Sequence, residues 1–354
     1  MMRTAETALT CDMVGFRNGE PYNGIAGTIG NTPLVRLNHY LDCFDVRLYV
    51  KLESQNPGGS AKDRPARLMI ERALQTGEIR KNTTIIESSS GNMGIGLAQM
   101  CRIHGLRFVC VVDPNAQPHN VAIMKALGAE VRVVTEPVEG DYLAARLAMV
   151  QQLVRDVDNA YWPNQYGNIQ NPRSHQHGTI REIDEALAGE VDDLFVATSS
   201  TGTARGCREY LRKRGRRTNV VAVDAVGSVL FDGVAGRRRI PGLGAGRLPA
   251  LAHGQHFHGV ERVTDIDCVV GCRRLSEREA ILAGGSAGGV LEAIRRKQDH
   301  LAGRNVVAIL HDSGTRYLDT VFNDQWVEDE LGVTPDELDF LVRKPAQTSI
   351  AVSA

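Results

Sequence analysis

The chain has 354 residues, 42% of them hydrophobic and 23% charged, with a formal net charge of −1. That length and balance give one large domain or two modest ones around a buried core, and exclude disordered, collagen-like and membrane-spanning compositions. The near-zero charge supplies no global attraction to nucleic acid or anionic membranes, and seven scattered cysteines without a CxxC pair argue against a disulfide framework or structural zinc.

The opening MMRTAETALTCDM lacks the charged-then-apolar order of a signal peptide, so a cytoplasmic protein is expected. Short β-branched and apolar runs predict strands at Leu48–Val50, Thr84–Ile86, Phe108–Val112, Val131–Val134, Leu194–Val196, Val220–Val223 and Val306–Leu310. Longer patterns between them predict helices, among them Ala66–Gln75, Met93–His104, His119–Leu127, Tyr142–Val157 and Arg181–Ala188, with Gly105 and Gly128 capping two of their ends. This alternation implies an α/β protein with parallel sheets covered on both faces. The basic cluster Arg212, Lys213, Arg214, Arg216 and Arg217 is expected to close a helix before the run at Val220, since no aromatic residues interleave with it as a nucleic-acid surface would need. The tail beyond Lys344 carries no amphipathic period and is expected to be loose.

Four glycine- or hydroxyl-rich loops stand at predicted strand-to-helix junctions, where open parallel sheets bind ligands. In Asn56-Pro57-Gly58-Gly59-Ser60-Ala61-Lys62-Asp63-Arg64, the glycines permit close backbone approach and Lys62 stands at a helix start, a place that disfavours its cation and suits a nucleophile or Schiff base. A solvated turn lysine is the plain alternative, and the spacing does not satisfy a P-loop. Glu87-Ser88-Ser89-Ser90-Gly91-Asn92-Met93-Gly94 reads either as a carboxylate receptor or as a well-capped helix. Ser199-Ser200-Thr201-Gly202-Thr203 suits a phosphate monoester and does not fit the dinucleotide GxGxxG. Gly284-Gly285-Ser286-Ala287-Gly288-Gly289 could mark close ligand approach or tight packing. His253, His256 and His258 sit in a glycine-containing stretch without metal-ligand spacing and read as a surface loop, so no metal is expected.

Taken in order, these motifs, with Ile29-Gly30-Asn31-Thr32-Pro33-Leu34-Val35-Arg36-Leu37, Asn164-Gln165-Tyr166 and Asp312-Ser313-Gly314-Thr315-Arg316-Tyr317-Leu318, resemble the fold-type II pyridoxal phosphate enzymes, the cysteine synthase and cystathionine β-synthase family. The resemblance runs from about Thr28 to Leu318. It implies a two-domain, tryptophan synthase β-like architecture of twisted, mostly parallel sheets, with a smaller mobile domain over 46–160, a larger one from 1–45 and 161–354, and a homodimer. It also implies pyridoxal 5'-phosphate carried on Lys62 as an internal aldimine, with Asn92 on its phenolic oxygen, Ser199, Ser200, Thr201, Gly202 and Thr203 on its phosphate, and Ser286 at its ring nitrogen. Ser89, Ser90, Asn92, Met93 and Gln165 would surround the substrate carboxylate. A neutral serine at the ring nitrogen makes the cofactor a modest electron sink, which favours β-elimination over transamination.

The chain departs from the cysteine synthase pattern. Ser199, Ser200 and Thr201 replace the first places of a glycine-rich loop, Met93 stands where threonine is usual, and Pro65 follows KDR where Ile is usual. With Asp113-Pro114, Tyr161-Trp162-Pro163, Ala222-Val223-Asp224-Ala225-Val226-Gly227-Ser228 and Arg316-Tyr317-Leu318-Asp319, the chain looks closest to family members that join O-phospho-L-serine to L-glutamate through an aminoacrylate, on the route to 2,3-diaminopropionate for siderophores. Near the substrate pocket Arg146 would then reach the leaving phosphate and Tyr166 would add a hydroxyl beside Gln165, against a surface ion pair and core packing as their plain readings. The alternatives are a cysteine synthase using O-acetylserine or O-phosphoserine with sulfide, and a non-catalytic binding partner that kept the fold.

Overall fold

Ten strands in two sheets organise the chain in the computed structural model, which describes residues 21–43 and 45–346. The strands are β1 (Leu34–Arg36), β2 (Arg47–Leu52), β3 (Thr84–Ser88), β4 (Arg107–Val112), β5 (Glu130–Val133), β6 (Ala160–Tyr161), β7 (Asp193–Ala197), β8 (Asn219–Ala225), β9 (Gly259–Val263) and β10 (Asn305–Leu310). The six-stranded sheet has the order β1-β2-β10-β7-β8-β9, and the four-stranded sheet the order β5-β4-β3-β6. β1 runs antiparallel to β2, while the other pairs are parallel, as strands joined through helices must be. β2 falls within the stretch 46–160 yet pairs with β10 from Asn305↔Arg47 to Leu310↔Leu52, so it belongs to the larger sheet.

The helices are α1 (Asp63–Thr76), α2 (Asn92–His104), α3 (Pro118–Ala126), α4 (Tyr142–Asp156), α5 (Gln170–His177), α6 (Thr179–Ala186), α7 (Gly202–Lys213), α8 (Asp265–Glu279), α9 (Gly285–Arg296), α10 (Asp324–Leu331) and α11 (Pro335–Arg343). All seven strands and five helices expected from periodicity are present, with ends moved by a few residues. β1, β6 and β9 carry no such signal, because two are only two or three residues long and β9 interrupts its apolar residues with adjacent Glu261 and Arg262 at a sheet edge. Left-handed Gly105 ends α2 at φ 66°, and Gly128 follows α3 at φ 90°. The basic cluster closes α7, with Arg212 and Lys213 in its last turn. Cys11 and all but two residues of the C-terminal tail lie outside the described residues.

Every residue of β3 and β7 is buried. Continuous apolar strands of this kind need helices on both faces, and separate apolar clusters fill the layers above and below each sheet. The carboxyl ends of β3, β7 and β10 therefore open into one region, the place where α/β sheets bind ligands. Among the described residues, no helix is long and apolar enough to cross a membrane.

Candidate active site

A cavity of about 270 Å³ lies between the two sheets and gathers all four glycine- or hydroxyl-rich loops. Lys62, Ser89, Ser90, Asn92, Met93, Arg146, Gln165, Tyr166, the loop from Ser199 to Thr203, and Ser286 all border it. Residues as distant in sequence as Lys62 and Tyr317 thus share one space.

Lys62 occupies the N-cap position of α1. Burial holds its amine below the usual lysine range, against the opposing pull of Asp312 and Glu53. Among the described residues no carboxylate lies within ion-pair distance of it. The neighbouring Ala61 N–H donates to His311 O at 2.7 Å, which fixes the loop against the end of β10. The His311 imidazole also borders the cavity, and burial and the Lys62 charge push it down to about 3, so it is neutral. Among the described residues neither of its ring nitrogens finds a hydrogen-bond partner, and nor does Asp312 Oδ1 beside it.

The loop after β3 is braced from beneath. Ser89 Oγ accepts from Gly94 N at 2.9 Å, and Ser90 Oγ accepts from Arg146 Nη1 at 3.0 Å, leaving each hydroxyl proton for a ligand. Gln165 Nε2 donates to Ser88 O at 3.2 Å. Fully buried Glu87 receives Trp162 Nε1 at 3.0 Å, Ser88 N at 2.9 Å and Gln165 N at 3.1 Å, and burial without a cationic partner raises its carboxyl to about 7. Arg146 is no surface residue: its Nε lies 3.1 Å from Asp113 Oδ2, and the two side chains are 13% and 8% exposed. Tyr166 lines the cavity rather than filling a core cluster, and burial raises its phenol.

The third loop turns into α7 through Thr201, whose φ of 64° is left-handed. A hydroxyl residue takes this left-handed place, its Oγ1 accepting from Gln255 Nε2 at 2.8 Å. The Thr201 side chain does not cap α7, and Gly202 N makes only a 3.4 Å bond to Ser200 Oγ, so the first N–H groups can turn to an anion, flanked by Ser199, Ser200 and Thr203. Thr203 Oγ1 lies 3.2 Å from His175 Nε2, an imidazole that burial keeps neutral. Ser286, in the first turn of α9, is 4% exposed and reaches the same cavity.

These groups suit pyridoxal 5'-phosphate. An amine disfavoured as a cation, a helix start whose N-cap side chain makes no cap bond and which hydroxyls flank, a neutral serine and unpartnered buried polar atoms face one space.

The motifs contain Arg64, Asp312 and Arg316 but do not disclose the partners these residues meet behind this wall. Arg64 is buried with Glu53 at 2.7 Å and Glu182 at 2.6 Å, and Glu182 also meets Lys51 at 2.7 Å. Arg64 stood in view two places after Lys62, but its partners lie 11 and 118 positions away. Asp312 and Arg316 hold Asn92, a contact that only the fold creates. His253, His256 and His258 lie on the surface, with His258 Nδ1 accepting from Val220 N at 3.0 Å.

Residues 25–312 match the model of the pyridoxal-phosphate dependent enzyme family. The chain belongs to that family. Its coenzyme is pyridoxal phosphate, and its members are enzymes. A Ralstonia nicotianae relative named N-(2-amino-2-carboxyethyl)-L-glutamate synthase is 47% identical over 309 residues, covering 86% of this chain and 90% of that protein. A hydrogen sulfide-producing enzyme from Fusobacterium nucleatum superposes with a TM-score of 0.80 at 34% identity, covering 85% of this chain and 99% of that one. An O-acetylserine dependent cystathionine β-synthase from Helicobacter pylori gives 0.78 at 30% identity, covering 85% and 98%. This pyridoxal-phosphate dependent enzyme is of the β-replacement type.

Proposed function

We propose that the enzyme condenses O-phospho-L-serine with L-glutamate to give N-(2-amino-2-carboxyethyl)-L-glutamate and inorganic phosphate, for 2,3-diaminopropionate and siderophore synthesis. The 47% identity to the Ralstonia nicotianae synthase carries this reading. The bond from the donor's β-carbon to phosphate oxygen breaks, a bond to the glutamate nitrogen forms, and that nitrogen releases its proton.

Pyridoxal 5'-phosphate, when bound, supplies the electron sink for the donor's α-carbon. Lys62 would carry it, Asn92 and Ser286 would meet its ring substituents, and Ser199 to Thr203 would hold its phosphate. The Ser89 and Ser90 hydroxyls, with Met93 and Gln165, bind the donor carboxylate. Its binding orients the α-proton toward Lys62, whose depressed proton affinity suits a general base. Arg146 takes the leaving phosphate, a role for which a part-buried guanidinium already linked to the carboxylate loop is well placed, and Tyr166 adds a hydroxyl beside Gln165. Lys62 then returns its proton to the α-carbon.

The smaller unit, proposed over 46–160 with its first strand lent to the larger sheet, closes on the bound carboxylate and excludes water. Homodimeric assembly, carried by the family resemblance, and a cytoplasmic location complete the proposal.

Mixing the loaded enzyme with phosphoserine and glutamate should release one phosphate per adduct, read by phosphate assay and mass spectrometry. Product formed from sulfide but not from glutamate would replace this reading with cysteine synthesis.

A further inference from the structure

Asn92 faces the cavity from the first turn of α2, and its amide is gripped on two sides by groups that permit one orientation. The Arg316 guanidinium, which can only donate, meets Oδ1, while the Asp312 carboxylate Oδ2 lies 2.7 Å from Nδ2 and can only accept. A flipped amide would set N–H groups against N–H groups on one side and oxygen against oxygen on the other. Arg316 is itself anchored, because its second terminal nitrogen donates to Gly58 O. It passes over Gly59, at φ 81°, where a Cβ would stand 2.7 Å from the guanidinium. Asp312 Oδ2 is steadied by the Tyr317 hydroxyl at 2.6 Å. A primary amide carries two N–H bonds, and Asp312 takes one; the other remains for a ligand in the cavity.

We propose that Arg316 and Asp312 are positioning residues that lock Asn92 Nδ2 as a hydrogen-bond donor to the phenolic oxygen of bound pyridoxal 5'-phosphate. The proposal rests on the reading of Asn92 as a coenzyme contact. It is independent of which amino acids react.

The test uses coenzyme alone, removed and added back, with its dissociation constant and visible absorption as readouts. Arg316→Met and Asn92→Ala should each weaken coenzyme binding about tenfold and move the absorption band, the size expected for a hydrogen bond to a charged oxygen. The double variant should be no weaker than Asn92→Ala by itself, because both substitutions remove one contact. Arg316→Lys, which keeps a donor beside Oδ1, should restore most of the loss, and Asp312→Asn should give an intermediate effect because its amide can face Asn92 either way. These two variants carry the test if Arg316→Met does not fold. Additive losses, or a lower melting temperature with band and affinity unchanged, would overturn the lock while leaving Asn92 as a contact. If Asn92→Ala moves neither readout, the coenzyme role of Asn92 fails, and the lock with it.

Discussion

At the scale of single residues, Lys62 is the point on which the chemistry turns. Lys62→Ala should cut turnover at least about a thousandfold, since it removes the general base, and borohydride should then trap no coenzyme mass on the protein. Thr201 sets two small effects against each other. Thr201→Gly relieves a left-handed φ of 64° worth about 1 kcal/mol, but it loses the 2.8 Å bond from Gln255 and frees the unfolded chain, each worth a similar amount. Stability should therefore stay within about 1 kcal/mol in denaturant titration, while coenzyme binding weakens severalfold for want of the hydroxyl. Glu87 and Asp63 make a prediction about pH. Burial raises both carboxyls to about 7, from ordinary values of 4.5 and 3.8. The folded protein binds these protons more tightly than the unfolded chain, so their stabilising effect is complete at acid pH and is lost as pH climbs from about 4 through 7. Glu87→Gln should remove its share of this slope. The stability gap between wild type and variant should shift by roughly 3 kcal/mol in favour of the variant between pH 4 and pH 8. An unchanged gap would show that Glu87 keeps an ordinary proton affinity.

At the scale of elements, the start of α1 is fixed by a buried, charge-balanced cluster. Arg64 and Lys51 face Glu53 and Glu182, tying α1 and β2 to α6, and all four side chains are at most 7% exposed. Removing one member leaves a buried charge uncompensated, which costs more than the pair contributes. Arg64→Met should destabilise the protein by about 3–5 kcal/mol in urea titration and loosen coenzyme binding, because Lys62 lies two residues away. A loss under about 1 kcal/mol would mean that water reaches the cluster. This cluster also marks the limit of what the sequence discloses. Period and length made most strands and helices legible, and the loops at their ends were legible because glycine and hydroxyl runs have few other uses there. The partners of Arg64 and Asn92 were not, since pairing across 118 or 220 positions depends on which strands become neighbours. β2 shows the same limit: its residues precede the smaller sheet in the chain, yet hydrogen bonding to β10 places it in the larger one.

At the scale of the whole molecule, polar contacts join the two sheets around the cavity, and these bear on how readily the smaller unit can move. One lies at the rim. Arg247, in the segment between β8 and β9, pairs with Asp141 at 2.7 Å, and Asp141 also caps α4 through Leu143 N and Ala144 N. α4 carries Arg146, so this pair links the larger sheet's loop to the helix proposed to grip the leaving phosphate. Its side chains are 54% and 35% exposed, which limits its worth to about 1 kcal/mol and makes it sensitive to salt. If closure on the donor carboxylate includes this contact, Arg247→Ala should raise the KM for phosphoserine by up to about fivefold at low ionic strength. It should leave kcat nearly unchanged, and the difference should fade toward 0.5 M salt as screening shortens to a few ångströms. The α4 cap keeps its own bonds in that variant, so thermal stability should hold. A KM that rises equally at all salt concentrations would instead place the effect in the packing of the Arg247 loop, and would separate the rim contact from domain closure.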